Sequence, residues 1–312
     1  MKKQDRRHTR RGLRSKAVAI AAGTLALTLG TTVAASANGG TGSLGTASGT
    51  TVHTAPQQGR TTFSAGADAG STWMFGIDGR DSAGNIWDYP PNAKGGFGTK
   101  TRTGTGMGSA SAFFKINSAN TEKVNVYARF GSQLRMYGGS SSAGTVIGSG
   151  WSGYNAFVTP GNLGGAANPD LLARDTSGVM WEYLSYSNGT FAGRIRVGGG
   201  WQIYKDLAGF GDLTGDGKAD IVARDAAGGL WLYKGTGNSK APLASRVQIG
   251  TGWNVYNRLV GLGDNNADGR YDLIARRTDG VLFFFPGTGN AAKPFGGRQQ
   301  IGTGWGVFNY LF

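Results

Sequence analysis

The sequence predicts an all-β protein: a β-propeller of five four-stranded blades, closed by its C-terminal strand. The segment 211–224, GDLTGDGKADIVAR, returns 52 residues later as GDNNADGRYDLIAR. Two shorter blocks recur five times each between residue 71 and the C-terminus. The chain also ends just after the first strand of a sixth unit, whereas its first unit lacks a convincing first strand. A closed ring follows if that last strand completes the first blade.

The recurring blocks place the strands within each unit. One block reads ARDTSGVMWEY or a close variant and begins at positions 79, 128, 173, 223 and 275. The other reads GTGW or a variant and begins at positions 104, 148, 198, 250 and 302. Each unit offers four short apolar runs separated by Gly, Asn and Asp, which is typical of four strands joined by turns. Four strands at a period of 45 to 52 residues are typical of a propeller blade. An open solenoid is the alternative, but closure removes the unpaired sheet edges that favour aggregation.

The N-terminal region predicts export. Residues 1–37 combine eight Lys and Arg, an apolar run at 17–29 and a small-residue cleavage site ending at Ala37. The apolar run is too short to span a membrane. The Arg10-Arg11 pair is compatible with a twin-arginine signal, but the general secretory route is the preferred interpretation. Residues 38–70 are rich in Gly, Ser and Thr and predict a flexible tether, so the propeller occupies 71–312.

Composition excludes several function classes. Removing residues 1–37 lowers the formal net charge from +14 to +7, and the remaining cations are dispersed along the chain. Nucleic-acid binding needs a basic stripe or a recognisable motif, and neither is present. The chain has no cysteine, so an exported form has no disulfides and depends on its core and, we infer, on bound metal.

Two acidic loops predict two Ca²⁺ sites. Oxygen-bearing side chains alternate along each loop around a glycine, and the residue at the seventh place is expected to contribute its backbone carbonyl. Calcium prefers six to eight hard oxygen ligands of this kind, and the glycine permits the tight turn. An acidic turn without metal is the alternative, but its clustered carboxylates would repel one another. The predicted ligands are Asp212, Thr214, Asp216, Lys218 and Asp220 in one loop, and Asp264, Asn266, Asp268, Arg270 and Asp272 in the other.

The equivalent turns at 162–170 and 117–125 keep few of these oxygens, so we expect them to be metal-free. The blade then forms without calcium in some units. This favours a stabilising role for the metal over a catalytic one.

At the two acidic loops the chain resembles the FG-GAP or VCBS repeat family, the calcium-binding blade also found in integrin propellers. Segments 212–221 and 264–273 carry the D-x-[DN]-x-D-G-x-x-D-[LI] pattern of that family, with Thr214 as a departure. Integrin-type partners are not implied, because those propellers usually have more blades. The second block, IGTGWxx[YF]NxL at 249–259 and 301–311, is similar to the repeat of tachylectin-2-like lectins. That resemblance implies five blades and sugar pockets between them.

The recurring tryptophans allow two interpretations. As large aromatics at one blade position they are typical of packing between blades. Under the second interpretation they line inter-blade sugar pockets with nearby asparagines as polar anchors. The candidate ligand-binding residues are Trp151, Trp201, Trp253, Trp305, Asn257 and Asn309.

One arginine recurs in every unit. The favoured interpretation pairs each with a carboxylate such as Asp81, Asp175 or Asp225, and the alternative is a ring facing an anionic ligand. The recurring arginines are Arg80, Arg129, Arg174, Arg224 and Arg276.

Catalysis finds little support in the sequence. The only histidine after residue 37 is His53, in the tether, and with no cysteine the usual nucleophile–histidine arrangements are excluded. Asp88, Glu182 and Asp206 are not assigned to a loop or an arginine, and nothing in the sequence pairs them. We therefore predict a secreted, calcium-stabilised, non-catalytic module that binds glycans or polysaccharides. An extracellular protein-interaction scaffold is the first alternative, and a hydrolase with an unrecognised carboxylate site is the second.

Overall fold

The structure is a computed structural model and describes residues 73–117, 124–138, 143–165 and 168–312. The expected signal peptide at 1–37 and tether at 38–70 lie outside the described residues. Within these residues no helix is both long enough and apolar enough to cross a membrane.

The described residues form five antiparallel four-stranded sheets. Blade 1 contains β1 (Ile77–Asp81), β2 (Ile86–Tyr89) and β3 (Thr101–Gly104). Blade 2 contains β4 (Ala110–Asn117), β5 (Val124–Phe130), β6 (Gln133–Tyr137) and β7 (Thr145–Gly148). Blade 3 contains β8 (Tyr154–Gly161), β9 (Asp170–Asp175), β10 (Met180–Leu184) and β11 (Ile195–Gly198). Blade 4 contains β12 (Tyr204–Ala208), β13 (Ile221–Asp225), β14 (Leu230–Tyr233) and β15 (Val247–Gly250). Blade 5 contains β16 (Tyr256–Val260), β17 (Leu273–Arg277), β18 (Leu282–Phe285) and β19 (Gln299–Gly302).

The C-terminal strand closes the ring. β20 (Phe308–Leu311) pairs antiparallel with β1 and supplies the innermost strand of blade 1, with Gly79 opposite Leu311. A Cβ on Gly79 would lie 2.6 Å from the ring of Phe308, so only glycine lets this strand pack so closely. The predicted five-bladed propeller and its C-terminal closure are both confirmed.

Each pair of neighbouring blades shares an apolar cluster. Between blades 2 and 3, for example, Phe114 and Tyr127 pack with Trp151, Tyr154 and Leu171. Equivalent clusters join blades 3 and 4, 4 and 5, 5 and 1, and 1 and 2. Burial of this apolar area stabilises the ring.

A bulge interrupts each innermost strand where it faces the recurring arginine of its blade. In blade 3, for instance, the register shifts between Tyr154 and Ala156, and Arg174 lies opposite Ala156. The bulge turns one polar side chain of each blade toward solvent. These residues are Ser111, Asn155, Lys205, Asn257 and Asn309.

Candidate calcium loops and inter-blade grooves

The loop of blade 4 gathers three carboxylates around one point. Carboxylate oxygens of Asp212, Asp216 and Asp220 lie within 4.8 Å of one another, and this is the only such group of acids among the described residues. Asp212 accepts hydrogen bonds from the backbone of Thr214, at 2.9 Å, and of Gly217, at 2.6 Å. These bonds hold the loop in the curved conformation that a calcium site requires.

Two residues of the same loop tie it to its surroundings. Asp220 is fully buried and accepts hydrogen bonds from the backbone N–H groups of Leu213 and Gly235, which fixes the base of the loop. Asp216 is exposed and forms an ion pair of 3.0 Å with Lys234. Lys218 points to solvent, as expected if its carbonyl rather than its side chain faces the metal.

The loop of blade 5 has the same arrangement of residues, but its carboxylate oxygens do not form an equally close group. Asp264 accepts hydrogen bonds from the backbone of Asp268, at 3.0 Å, and of Gly269, at 2.8 Å. Asn266 donates to Asp268, and Asp272 is anchored by the backbone of Asn265 and Gly287. The donor chemistry of both loops fits a hard, oxygen-preferring cation, so the residues present can hold Ca²⁺.

The electrostatics of these loops are unfavourable when the carboxylates are charged and unneutralised. Burial raises the pKa of Asp220 to about 6, with repulsion from Asp212 and Asp216 adding to it. Burial likewise raises the pKa of Asp272 to about 7, with a further contribution from Asp268 and Asp264. A bound divalent cation would oppose both effects, because an opposite charge nearby favours the ionised form.

The recurring tryptophans lie in the clusters between blades. Trp151, Trp201 and Trp305 are buried, and Trp253 is half-buried. Trp201 packs against Tyr233 of its own blade, with a ring-centroid distance of 4.5 Å. Both rings belong to or contact the apolar cluster shared with blade 3. The buried rings leave little surface for a ligand.

The recurring arginines bind neighbouring blades together instead of pairing with carboxylates. Arg174 of blade 3 donates from Nη1 to the carbonyls of Trp201 and Tyr204 in blade 4, at 2.9 and 2.7 Å. Its Nε donates to Asn155 at 2.7 Å. Arg80, Arg129 and Arg276 make the same contacts with the next blade, using Asn309, Ser111 and Asn257 as their side-chain acceptors.

The expected pairing of these arginines with Asp81, Asp175 and Asp225 is therefore wrong. Each of those aspartates instead accepts a hydrogen bond from the indole Nε1 of a tryptophan six residues later, at 2.7–2.8 Å. The tryptophans are Trp87, Trp181 and Trp231. Since the hairpin between the two strands brings these residues together, the bond fixes each ring at the blade surface.

A pair of an aromatic ring and a cation recurs beside the apolar clusters between blades, and sequence reasoning missed it. In each pair the cation that precedes the fourth strand of a blade lies against an aromatic ring on the third strand. The rings of Trp87, Trp181 and Trp231 are half-buried, and that of Phe283 is buried. Arg194 lies 4.0 Å from the ring centroid of Trp181, and Arg246 lies 4.1 Å from that of Trp231. The pair in blade 5 is Arg298 with Phe283, at 5.0 Å, and in blade 1 Lys100 with Trp87, at 4.6 Å. We call these four pairs the groove pairs.

Tyrosine hydroxyls contact the arginine of the groove pair on three blades. In blade 5, Arg298 donates to the hydroxyl of Tyr256 at 3.0 Å. In blade 3, Arg194 donates to the hydroxyl of Tyr154 at 2.8 Å, and Tyr154 and Tyr183 share a hydrogen bond of 2.5 Å. Tyr204, Tyr233 and Arg246 repeat this arrangement in blade 4. The signal was present in the sequence: a Trp two residues before a Tyr, followed by an Arg four residues before the GxGW block.

The remaining acids lie apart. Asp206 pairs with Arg258 at 3.5 Å beside a cavity of about 150 Å³ that opens on the ring axis. Asp88 is buried in blade 1 near Asp78, which binds Lys115 at 2.5 Å. Glu182 is buried in blade 3, with no hydrogen-bond partner on either carboxylate oxygen. These three acids do not share one site.

Residues 212–275 match the family model of the FG-GAP-like repeat. This segment is similar to an FG-GAP-like repeat. It runs from the first aspartate of the blade 4 loop, through the blade 5 loop, into β17. The family resemblance predicted from the two acidic loops is thus confirmed, and the FG-GAP-like repeat supplies the geometry of both candidate metal sites.

The propeller is also similar to solved structures. One is the BP39L lectin from Burkholderia pseudomallei, with a TM-score of 0.45 and 13% identity over 72% of this chain and 69% of that one. Another is AofleA from Arthrobotrys oligospora, with a TM-score of 0.43 and 11% identity over 70% of this chain and 66% of that one. No curated protein sequence matches the chain.

Proposed function

We propose that the chain is a secreted, calcium-stabilised, non-catalytic module that binds carbohydrate in the grooves between its blades. The groove pairs carry this proposal. A half-exposed indole ring offers an apolar face to the C–H side of a sugar ring, and guanidinium and phenol groups offer polar contacts to its hydroxyls. Such a combination of an aromatic wall with a few placed polar groups is typical of small-molecule sites.

The proposal moves the binding site from the residues first considered. Trp151, Trp201 and Trp305 are buried and contribute to packing. Trp181 and Trp231 are half-exposed, and their cationic partners Arg194 and Arg246 are exposed. The repetition of the groove also supports the proposal, because several weak sites on one rigid ring gain avidity for a repeating polysaccharide.

Calcium enters the proposal as a stabiliser of the ring. The two metal loops belong to blades 4 and 5, and the residues that would hold the ions are the aspartates and neighbouring oxygens described above. The ion would neutralise clustered carboxylates there, and the groove pairs themselves would not ligate it.

A glycan array tests the proposal directly. The protein is applied in about 1 mM calcium, a concentration in the range of extracellular calcium modules, and the array is repeated with a chelator. We expect selective binding that is weakened in the variant Trp181→Ala/Trp231→Ala, which removes two of the four groove pairs. The exposed Lys240, in the turn between β14 and β15, gives a control, because Lys240→Ala removes a positive charge outside the groove pairs. Absence of binding by the folded protein would contradict the proposal.

A second candidate function is an extracellular protein-interaction scaffold. Ile203, Val255 and Val307 occupy one position in successive blades and are 44%, 41% and 62% exposed. Each lies at the end of the short 3₁₀ helix before an innermost strand. A repeated row of exposed aliphatic residues favours an apolar partner surface. A protein that is folded, binds no glycan and loses a protein partner on Val307→Ser would support this function instead.

A further inference from the structure

Two buried carboxylates meet beneath the degenerate loop of blade 3. Asp170 and Glu182 are both fully buried. Asp170 pairs with Leu184 across β9 and β10, and Glu182 pairs with Leu172. The two acids are therefore diagonal neighbours on one face of the sheet, a distance within reach of long side chains.

Both carboxylates point toward Gly164. Oδ2 of Asp170 accepts a hydrogen bond of 2.8 Å from the backbone N–H of Gly164. A Cβ on Gly164 would lie 3.1 Å from Oε1 of Glu182, so this carboxylate fills the space that a side chain would need. Blade 4 has Thr214 at the position of Gly164, and its hydroxyl takes part in the metal loop.

The equivalent strand positions of blades 4 and 5 carry apolar residues. Leu232 and Phe284 stand where blade 3 has Glu182, and both are buried. Blade 3 has thus lost a loop oxygen at Gly164 and gained a carboxylate from the neighbouring strand at the same place. The exchange keeps an oxygen donor under the loop, although it comes from a residue outside the loop motif.

Three oxygen atoms of the pair lack partners. These are Oδ1 of Asp170 and both Oε atoms of Glu182. Among the ion pairs of the described residues, none includes either acid. A buried charge without a partner is strongly unfavourable, and two adjacent carboxylates are balanced by one divalent cation.

We propose that Asp170 and Glu182 form a third cation site, which binds a divalent ion of the oxygen-preferring class, such as Ca²⁺. Glu182 supplies the ligand that the loop sequence lacks. This proposal replaces the expectation from sequence that the turn at 162–170 is metal-free. The inference is independent of carbohydrate binding, because both acids are fully buried and Glu182 lies on the face of β10 opposite to Trp181.

Counting bound ions tests this site. The full chain is stripped of metal, dialysed against about 1 mM calcium, and its calcium content per chain is measured by mass spectrometry. The background variant Asp216→Asn/Asp268→Asn weakens the two acidic loops. We expect this background to retain one ion per chain and to lose it when Glu182→Gln is added. In the otherwise unchanged protein, Glu182→Gln should lower the count by one.

Asp88→Asn provides the matched control, because Asp88 is a buried acid at the equivalent strand position of blade 1. It should leave the ion count unchanged. Should Glu182→Gln fail to fold, Glu182→Leu reproduces the residue of blade 4 and should also lower the count by one. An ion count that is unaffected by both changes would overturn the proposal and indicate that the two acids share a proton instead.

Discussion

Lys205→Asn should stabilise the propeller. Lys205 occupies the bulge position where Asn155, Asn257 and Asn309 accept a hydrogen bond from an arginine Nε at 2.7–2.8 Å. Lysine has no acceptor, and Nε of Arg224 in the same blade is buried without a partner. The change should therefore give Arg224 the contact that the arginines of blades 1, 3 and 5 already have.

The magnitude follows from that unpaired donor. A buried donor left without an acceptor costs about 1–3 kcal/mol, and an exposed asparagine recovers part of this, about 1–2 kcal/mol. For a domain of this size each kcal/mol shifts the melting temperature by about 2–4 °C. We expect Tm to rise by about 2–8 °C, measured by circular dichroism with urea denaturation as a second measure.

A matched variant separates the hydrogen bond from the charge. Lys205→Ala removes the same positive charge but offers no acceptor, so it should give less than half of the gain. In a background with Arg224→Met the benefit of Lys205→Asn should disappear, as expected when two residues act through one contact. Equal stabilisation by asparagine and alanine would refute the reasoning.

Three other changes test other parts of the account. Ala267 has a φ of 61° where the blade 4 loop has a glycine, so Ala267→Gly should raise the free energy of unfolding in urea by about 0.5–1 kcal/mol; a lower free energy of unfolding would contradict this. Burial, with repulsion from Asp78, raises the pKa of Asp88 to about 6 in the folded protein, so folding becomes less favourable as pH rises from about 4 to 6. Asp88→Asn should gain about 3 kcal/mol at pH 7.5 and little at pH 4, and an equal gain at both would exclude titration as the cause. Calcium at ten times its Kd should add about 1.4 kcal/mol per site, and a thermal shift that survives in full in Asp216→Asn/Asp268→Asn would show that the ligands are misassigned.

The fold was predictable because each repeat carries its own strands and turns. The period fixed the number of blades, and the missing first strand of the first unit indicated where 308–311 would pair. The unpaired C-terminal strand and the open edge of the first sheet are both satisfied when they pair with each other, as β20 and β1 do. No long-range contact had to be guessed beyond that closure.

The arginine contacts were not predictable in the same way. A sequence shows the side chains near Arg174 along the chain, and Asp175 is the nearest acid. Its actual acceptors are the carbonyls of Trp201 and Tyr204. Every residue has a backbone carbonyl, so the sequence does not show which carbonyls accept a hydrogen bond from the arginine. These two carbonyls approach it only when two blades pack together.

The groove pairs and the Asp170–Glu182 pair were not predicted from the sequence, for a different reason. Their residues were visible, and the recurrence of Trp181 and Arg194 in blade 4 was a usable signal. The strand register needed to place Arg194 over Trp181, or Glu182 beneath the loop, comes from the sheet and not from spacing along one strand. Alignment of the loops alone therefore left Glu182 without an assigned site.

Titration of a glycan selected on the array tests the central claim most directly. Binding to the folded protein is measured by calorimetry for the wild-type chain, for Arg194→Ala/Arg246→Ala and for the control Lys240→Ala. The account predicts that the control binds as the wild type does and that the double variant loses at least tenfold in affinity, which corresponds to about 1.4 kcal/mol. Equal affinity in all three proteins would contradict the assignment of the ligand to the inter-blade grooves.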